Sequence, residues 1–468
     1  MPGEERLQHS IALEKETLPT HGGRKLMETK LTRIAQIAKE RPDARITSLA
    51  GLINKESLTE SHRKMSGKKA AGIDEMTKDE YDRNLDVNIE SLLVKMKKQA
   101  YKPQPVKRVF IPKAGTNKMR PLGILAYEDK LVQDVLGGIL NAVFDGDFLD
   151  CSFGFRPNRG CHDALKVVNK IICERKINYI VDADIKSFFD NMDHEWIMKF
   201  INHRIGDVNV HRLISRFLKS GIIENGEHKD TPVGAHQGGQ ISPILGNIYL
   251  HYVLDLWFEK VIREQCKGDA YMVRYADDSV FCFQYEDEAK DFYERLKERL
   301  AKFNLEIAED KTKIIRFGRF AERDCKRDGK AKPDTFDFLG FTHYCSKSAK
   351  GYFRVKRKTS KKKFNASLKK FKAWLRDNLT TPAPEVMRKL TIKLNGYYRY
   401  YGITDNMCRM SLFADEVRNQ LYKMFNRRSQ KGSMNWDKFA LFLKKYPIPR
   451  PKIYVSIFEL RPELSYTV

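Results

Sequence analysis

The chain has 468 residues, with 86 Lys and Arg against 61 Asp and Glu, a formal net charge of +25. Hydrophobic residues make up 41%, enough for real cores in about three domains, so wholesale disorder is excluded. A positive excess of this size repels itself in the folded state and points to a polyanionic partner, nucleic acid or an anionic membrane.

Residues 1–60 read as a polar tail followed by a helical extension, with Leu31, Ile34, Ile37 and Ala38 at helical spacing. Helix continues over residues 61–100, with a turn at Gly72-Ile73-Asp74, and ends at Tyr101-Lys102-Pro103-Gln104-Pro105. Val106 to Pro112 reads as a basic strand, Ala114 to Asn117 as a turn and Met119 to Ile124 as a second strand. The most apolar helical segment, Leu131 to Phe144, carries Gln133 and Asp134. It falls short of the roughly 18–20 apolar residues that cross a bilayer. The N-terminus has no apolar run, so no secretory signal and no membrane partner are expected. Eight scattered cysteines without a C-x-x-C pair suit a reducing interior, and the cytoplasm is the expected location. Cys161-His162 reads as an incidental loop pair.

Residues 176–345 alternate strands with helices. Tyr179 to Asp184 is a strand, and Ser242-Pro243 opens a helix with Ser as its cap and Pro at its first position. Tyr271 to Tyr275 and Ser279 to Phe283 are strands around a short acidic turn, and Phe336 to Phe341 is a further strand. From Lys347 to Arg376 there are thirteen Lys or Arg and no acid. Beyond Ser360 this stretch becomes helical, with Phe364, Leu368, Phe371 and Leu375 on one face. Two or three helices follow, and Pro447, Pro449 and Pro451 end them.

The chemistry is carried by Tyr275-Ala276-Asp277-Asp278. Apolar flanks place two adjacent carboxylates at a hairpin tip, which costs energy unless a cation neutralises them. A solvated Asp-rich turn is the plain alternative. Asp184 ends the first strand and is followed by Ile185-Lys186-Ser187-Phe188-Phe189-Asp190. Three aspartates so placed suit two Mg²⁺ ions, which activate a 3′-hydroxyl and stabilise leaving pyrophosphate.

Asp184 to Asp190 followed by Tyr275 to Asp278 resembles motifs A and C of reverse transcriptases, in the form found in bacterial group II intron proteins. Arg120-Pro121-Leu122-Gly123-Ile124, Ser152 to Gly160, Gln237-Gly238-Gly239-x-x-Ser242-Pro243, Glu309 to Lys313 and Phe338-Leu339-Gly340-Phe341 match the same family in order. The resemblance implies an α+β right-hand polymerase fold of fingers, palm and helical thumb. The N-terminal tail and extension would be 1–60, the fingers with a template-clamping part 61–175 and the palm 176–345. The basic thumb, or maturase X domain, would be 346–450, and a short tail 451–468. Asp184, Asp277 and Asp278 would be the catalytic triad, and Ile185 joins them in the implied metal set. Asp182, on the same strand face as Asp184, reads as a decoy. Asp190 and Asp193 read as turn and cap residues.

Lys113 and Arg120 flank one turn and would hold the triphosphate, with ordinary basic surface as the alternative. Phe189 would exclude a 2′-hydroxyl, since a ring there leaves no room for one. Gln237 and Gly238 would contact nucleotide and template, and Lys311 would support the triphosphate side. The family usually has Pro where His236 stands, which is expected to loosen that loop. The Lys347–Arg376 run, with Tyr352, Phe353 and Trp374 interleaved, would bind RNA by phosphate contact and stacking. Leu394 to Tyr401 resembles the maturase thumb, with its tyrosines mostly in the core. About twenty residues follow Pro447 and no paired cysteines occur, so the HNH endonuclease of many relatives is not expected.

The implied reaction is RNA-directed DNA synthesis from dNTPs onto a DNA primer, with an intron RNA as template and splicing substrate. Two other readings remain: an RNA-binding splicing factor whose polymerase activity is dispensable, and a free-standing, host-adopted enzyme of defence or repair.

Overall fold

The protein is described by a computed structural model covering residues 22–112, 119–428 and 434–461. The expected polar tail over 1–21, Lys113 and the Ala114–Asn117 turn lie outside the described residues. The strands are β1 (Val106–Pro112), β2 (Met119–Ile124), β3 (Tyr179–Ala183), β4 (Ile222–Glu224), β5 (Glu227–Lys229), β6 (Ala270–Tyr275), β7 (Asp278–Phe283), β8 (Lys313–Arg316), β9 (Phe336–Phe338), β10 (Phe341–Lys347) and β11 (Phe353–Thr359). They form three sheets, in the orders β2-β1-β4-β5, β6-β7-β3-β8 and β11-β10-β9.

The N-terminal helices are α1 (Gly22–Glu40), α2 (Lys55–Lys64), α3 (Lys78–Asp82) and α4 (Leu85–Lys97). They pack against α5 (Tyr127–Phe144), whose Leu131, Val132, Leu136, Ile139, Leu140 and Val143 are buried. The turn expected at Gly72-Ile73-Asp74 is present and serves α5 directly. Asp74 Oδ2 accepts the Tyr127 N–H at 2.6 Å, satisfying an orphan donor at the start of that helix. A Cβ on Gly72 would stand 2.3 Å from the Leu125 carbonyl oxygen, so the approach needs glycine. The β1–β2 hairpin forms over the expected residues, with Pro112 opposite Met119 and Lys107 opposite Ile124. The short strands β4 and β5, which extend this sheet, have no counterpart in the sequence reading.

The central sheet is antiparallel throughout. Successive side chains point to opposite faces, and both faces are covered. Val181, Phe281 and Phe283 join the core that contains Phe292 and Leu296 of α11 (Glu286–Ala301). Ile180, Val280 and Cys282 join the core containing Leu165, Val168 and Ile172. Those three belong to α6 (Cys161–Glu174); α7 (Phe188–Asn191), α8 (His194–Arg204), α9 (Val208–Leu218) and α10 (Ser242–Leu250) lie between it and α11, and α12 (Ala321–Arg327) follows. Asp193 caps α8 by accepting the Glu195 and Trp196 N–H groups, as expected. Arg204, at the end of α8, pairs with Asp147 and donates to the carbonyls of Ala38, Arg41, Pro42 and Ala44, riveting the N-terminal extension in place.

The strand expected over Phe336–Phe341 is two strands. Leu339 (φ 48°) and Gly340 (φ 80°) form a two-residue turn that places Phe338 opposite Phe341. The basic run beginning at Lys347 first returns as β11, paired with β10 from Phe341↔Thr359 to Lys347↔Phe353. It becomes helical only at Ser360, which caps α13 (Lys361–Asp377). With α14 (Ala383–Tyr401), α15 (Met407–Asn426) and α16 (Trp436–Lys445), α13 builds the C-terminal helical region. Phe364, Phe371, Leu375, Tyr398 and Tyr401 are buried there, and Tyr397 and Tyr400 pack half-buried against the same core. Tyr352 stands 72% exposed. Cys161-His162 opens α6 rather than lying in a loop, and His162 donates its Nε2–H to the Tyr400 carbonyl at 2.8 Å, which joins α6 to α14. No helix among the described residues is long and apolar enough to cross a membrane.

Candidate active site

β3 and β7 lie side by side, and the register Ala183↔Ser279 brings Asp184 and Asp278 to the same end of the sheet. β6 and β7 close as a hairpin, Tyr275 opposite Asp278, over the two-residue turn Ala276-Asp277. Ala276 has φ 56°, the left-handed region, at a cost of roughly 1–2 kcal/mol for a residue with a Cβ. Gly154 lies directly against this turn. A Cβ on it would stand 2.3 Å from the Ala276 nitrogen. The Ser152–Gly160 motif is thus wedged under the acidic hairpin: the Phe153 N–H donates to the Arg274 carbonyl and the Arg274 N–H to the Cys151 carbonyl.

Asp278 keeps an exposed edge. Protein packed around its carboxyl, then the negative charges of Asp277, Asp184 and Asp182, push it up to about 7, with Lys363 opposing. Asp182 is pushed to about 7 as well, by burial first and then by Asp337 and Asp184. It therefore shares the field of the cluster, although its neighbours in the sheet are Val280 and Lys313. Lys311 forms an ion pair with Asp184, and that hydrogen bond is the main reason its own pKa is raised. The lysine expected near the triphosphate thus touches Asp184, one of the three expected metal-binding carboxylates.

Among the described residues no three His, Cys, Asp or Glu side chains stand gathered at ligand spacing. The chemistry of the donor set nonetheless fits a divalent cation. It offers hard carboxylate oxygens, mutual repulsion that a cation relieves, and a carboxylate on which an ammonium group already sits. Ile185 is held by an isolated antiparallel bridge to Ile307. The bonds of that bridge belong to its neighbours, Ala308 N–H to Asp184 O and Lys186 N–H to Glu306 O. The Ile185 carbonyl accordingly faces the other edge.

Around the cluster, Arg120 sits in β2 opposite Ile111, and its charge acts on Asp190. The Phe189 ring packs at 5.1 Å and 60° from Phe188, and its carbonyl accepts the Ala235 N–H at 2.7 Å. A Cβ on Gly246 of α10 would be 3.2 Å from the same ring, so the glycine makes room for it. Gln237 and the Arg120–Ile124 motif meet through their backbones, the Gly123 N–H donating to the Gln237 carbonyl at 2.5 Å. Gly238, at φ 108°, allows that approach: its Cβ would be 2.5 Å from the Gly123 oxygen. His236 does not loosen the loop as expected. Its Nε2 lies 3.2 Å from Ser220 Oγ, and its carbonyl accepts from the Gly239 N–H and Ser242 Oγ. Burial, then Arg108 and His194, hold its imidazole down at about 4, so it is neutral there. Ser242 is inside α10 rather than its cap, Ile241 holding the cap position. Its hydroxyl is engaged by the His236 loop.

Two features were not legible as functional residues: Gly154, seen only as part of a motif, and Arg274, a charge in the otherwise apolar run of β6. The second carried a signal, since an arginine buried beside an acidic turn needs a partner.

An antiparallel sheet that delivers carboxylates from adjacent strands to one rim, with glycine-lined loops from a second sheet beside it, defines the palm of a template-directed nucleic-acid polymerase. The sequence model for reverse transcriptase (RNA-dependent DNA polymerase) matches residues 111–343, and this part of the chain belongs to that family. It is 37% identical over 222 residues to the group II intron-encoded protein LtrA of Lactococcus lactis subsp. cremoris, a match covering 47% of this chain and 37% of that protein. It is 32% identical over 244 residues to protein YkfC of Escherichia coli K12, covering 51% of this chain and 64% of YkfC. Similarity at 28% identity over 115 residues extends to nuclear intron maturase 2, mitochondrial, of Arabidopsis thaliana, over 24% of this chain and 15% of that one. The chain thus spans just over a third of the first of these relatives. Members of the family work with divalent metal ions and nucleic acid.

Proposed function

We propose that this chain is an RNA-directed DNA polymerase of the group II intron type. The observation that carries the proposal is the register that brings Asp184 and Asp278 together beneath the Ala276-Asp277 turn. Asp184, Asp277 and Asp278, with the Ile185 carbonyl, would hold two Mg²⁺ ions. Such ions, when bound, supply a lowered pKa at the primer 3′-hydroxyl and charge neutralisation at the leaving pyrophosphate. Lys311 would give up Asp184 when a cation takes its place and would then face the phosphates. Lys113 and Arg120 would draw the triphosphate to the β1–β2 hairpin. Phe189, fixed between Phe188 and Gly246, would fill the space a ribose 2′-hydroxyl needs. The Gln237–Gly238 loop, anchored to Gly123, would present backbone to the nascent pair.

Primer extension on an RNA template with dNTPs and Mg²⁺ tests this reading. Wild type should extend the primer, and Asp277→Ala/Asp278→Ala should reduce extension by at least ~10³-fold with an unchanged melting temperature. A folded, RNA-binding wild type that fails to extend would overturn it.

A second role as splicing maturase is favoured by the exposed basic face of α13, with Lys361, Lys362, Lys369 and Lys370 directed to solvent. Splicing of an intron precursor by the Asp277→Ala/Asp278→Ala protein would separate that role from polymerisation.

A further inference from the structure

Arg274 lies on β6, three residues before Asp277, and none of its side chain reaches solvent. Its guanidinium has five N–H groups, and each meets an acceptor. Nε donates to Asp255 Oδ1 at 2.7 Å and Nη2 to Asp255 Oδ2 at 2.5 Å. Nη2 also donates to Ser152 Oγ at 2.8 Å. Nη1 donates to Asn247 Oδ1 at 3.1 Å and to the Ala276 carbonyl at 3.0 Å. The side chain therefore spans the sheet, the segment before α6 and α10 with its continuation, and its last bond ends on the catalytic turn.

The surroundings are built for this contact. Asn247 also donates to the Gly154 carbonyl at 2.7 Å, and Gly154 is the residue pressed against Ala276. Asn247 and Asp255 are eight residues apart, which in an α-helix leaves them about 80° out of line. After Leu250 the helix widens into π turns over His251–Asp255. Those turns advance each residue by less, and both side chains reach one guanidinium. Ala276 holds a backbone conformation that an L-residue rarely keeps unless its surroundings impose it. Arg274 bonds the Ala276 carbonyl and Gly154 lies against the Ala276 nitrogen.

We propose that Arg274 is the positioning residue of the metal site: it holds the Ala276 turn in its left-handed form, so that Asp277 and Asp278 face Asp184. Metal affinity, rather than nucleotide affinity, is the property it controls. The proposal rests on the polymerase reading, and its test has a readout that does not depend on synthesis.

The test measures Mn²⁺ binding by electron paramagnetic resonance on the full chain without nucleotide, with Asp277→Ala/Asp278→Ala marking the site. Primer extension is titrated with Mg²⁺ in parallel. Arg274→Lys keeps the charge and loses the fork. It should weaken Mn²⁺ binding and raise the Mg²⁺ midpoint by about tenfold, while KM for dNTP at saturating Mg²⁺ stays within about twofold. Ala276→Gly adopts the same turn without imposition. Added to Arg274→Lys, it should restore Mn²⁺ binding to within about threefold of wild type. If Arg274→Lys does not fold, Asn247→Ala releases the support from α10 and leaves the Arg274–Asp255 pair intact. It should weaken Mn²⁺ binding by about fivefold, again recovered by Ala276→Gly. Unchanged Mn²⁺ affinity in a folded variant, or a loss that Ala276→Gly leaves in place, would overturn the positioning role. Wild type that binds Mn²⁺ at the site but never extends a primer would sink the polymerase reading and leave the positioning role standing.

Discussion

Gly154 and Phe189 show how single residues shape the site from opposite directions, one by having no side chain and the other by filling space. Gly154→Ala would drive a Cβ into the Ala276 nitrogen, against backbone that has nowhere to go. Overpacking of this kind costs about 1–3 kcal/mol. We expect a comparable loss of stability in denaturant titration and at least ~10-fold slower primer extension, because the displaced atoms belong to the turn that carries Asp277. Phe189→Ala should instead leave stability close to wild type and raise ribonucleotide incorporation by about tenfold or more, read from rNTP and dNTP competition in one reaction. Unchanged sugar discrimination would remove Phe189 from the nucleotide site. Both residues were legible in part, because motif order singles them out. The close approach of Gly154 to a turn over a hundred residues away was not, since only folding creates that contact.

Among the elements, α5 carries the clearest pH signature away from the site. Its Asp129 is buried, accepts the Tyr101 hydroxyl and accepts the Gln104 N–H at 2.9 Å. Burial is the main influence and pushes its carboxyl up to about 6, Glu128 and Asp74 adding to it and the two hydrogen bonds opposing. The folded value lies above the ordinary 3.8, so folding favours the protonated form. That contribution is present in full below about pH 4 and is lost as pH rises through about 6. Asp129→Asn should lower stability overall, because its amide faces the Gln104 N–H. Relative to that variant, wild type should lose on the order of 2 kcal/mol between pH 4 and 6.5, measured by urea titration. Parallel pH curves for the two proteins would refute it. Element boundaries also show where sequence periodicity stops informing. Phe336 to Phe341 has one apolar pattern, but Leu339 and Gly340 turn the chain back on itself, and Phe353 to Thr359 becomes a strand despite its charge. Burial of Phe341, Val355 and Thr359 against α6 and the C-terminal helices overrides the preference of lysine for helix or solvent.

At the scale of the whole molecule, the excess of 86 basic over 61 acidic residues implies binding dominated by phosphate contacts. Lys362, Lys369 and Lys370 share the exposed side of α13, opposite the buried Phe364 and Phe371. Replacing the three with alanine should flatten the dependence of log affinity on log salt by about 2 for single-stranded RNA. Fluorescence anisotropy across a salt series would read this, and the melting temperature should stay within about 2 °C, since exposed charges contribute little. An unaltered slope would place the RNA elsewhere. The C-terminal helical region is tied to the rest of the chain by internal contacts: His162 to the Tyr400 carbonyl, the Tyr400 hydroxyl to the Leu339 carbonyl, and Arg461 to Asp163 at the start of α6.

Sequence alone determined the polymerase class, and it pointed to the three carboxylates and to a division into helical extension, central α/β region and basic helical end, because these reside in local pattern and motif order. The central strands were legible from their period of two and their short turns, and the face of α13 from its period of 3.6. Tertiary structure decided what the motifs do to one another. It set Gly123 against Gln237, Gly154 under Ala276 and Lys311 on Asp184, each pair far apart in the chain. It also turned Arg274 from an anomaly in an apolar strand into the centre of a fully satisfied network. Local pattern reports which side of an element is buried. Which partners a buried polar group finds depends on the packing of elements distant in sequence, and a buried charge is tolerated only where that packing supplies all of them.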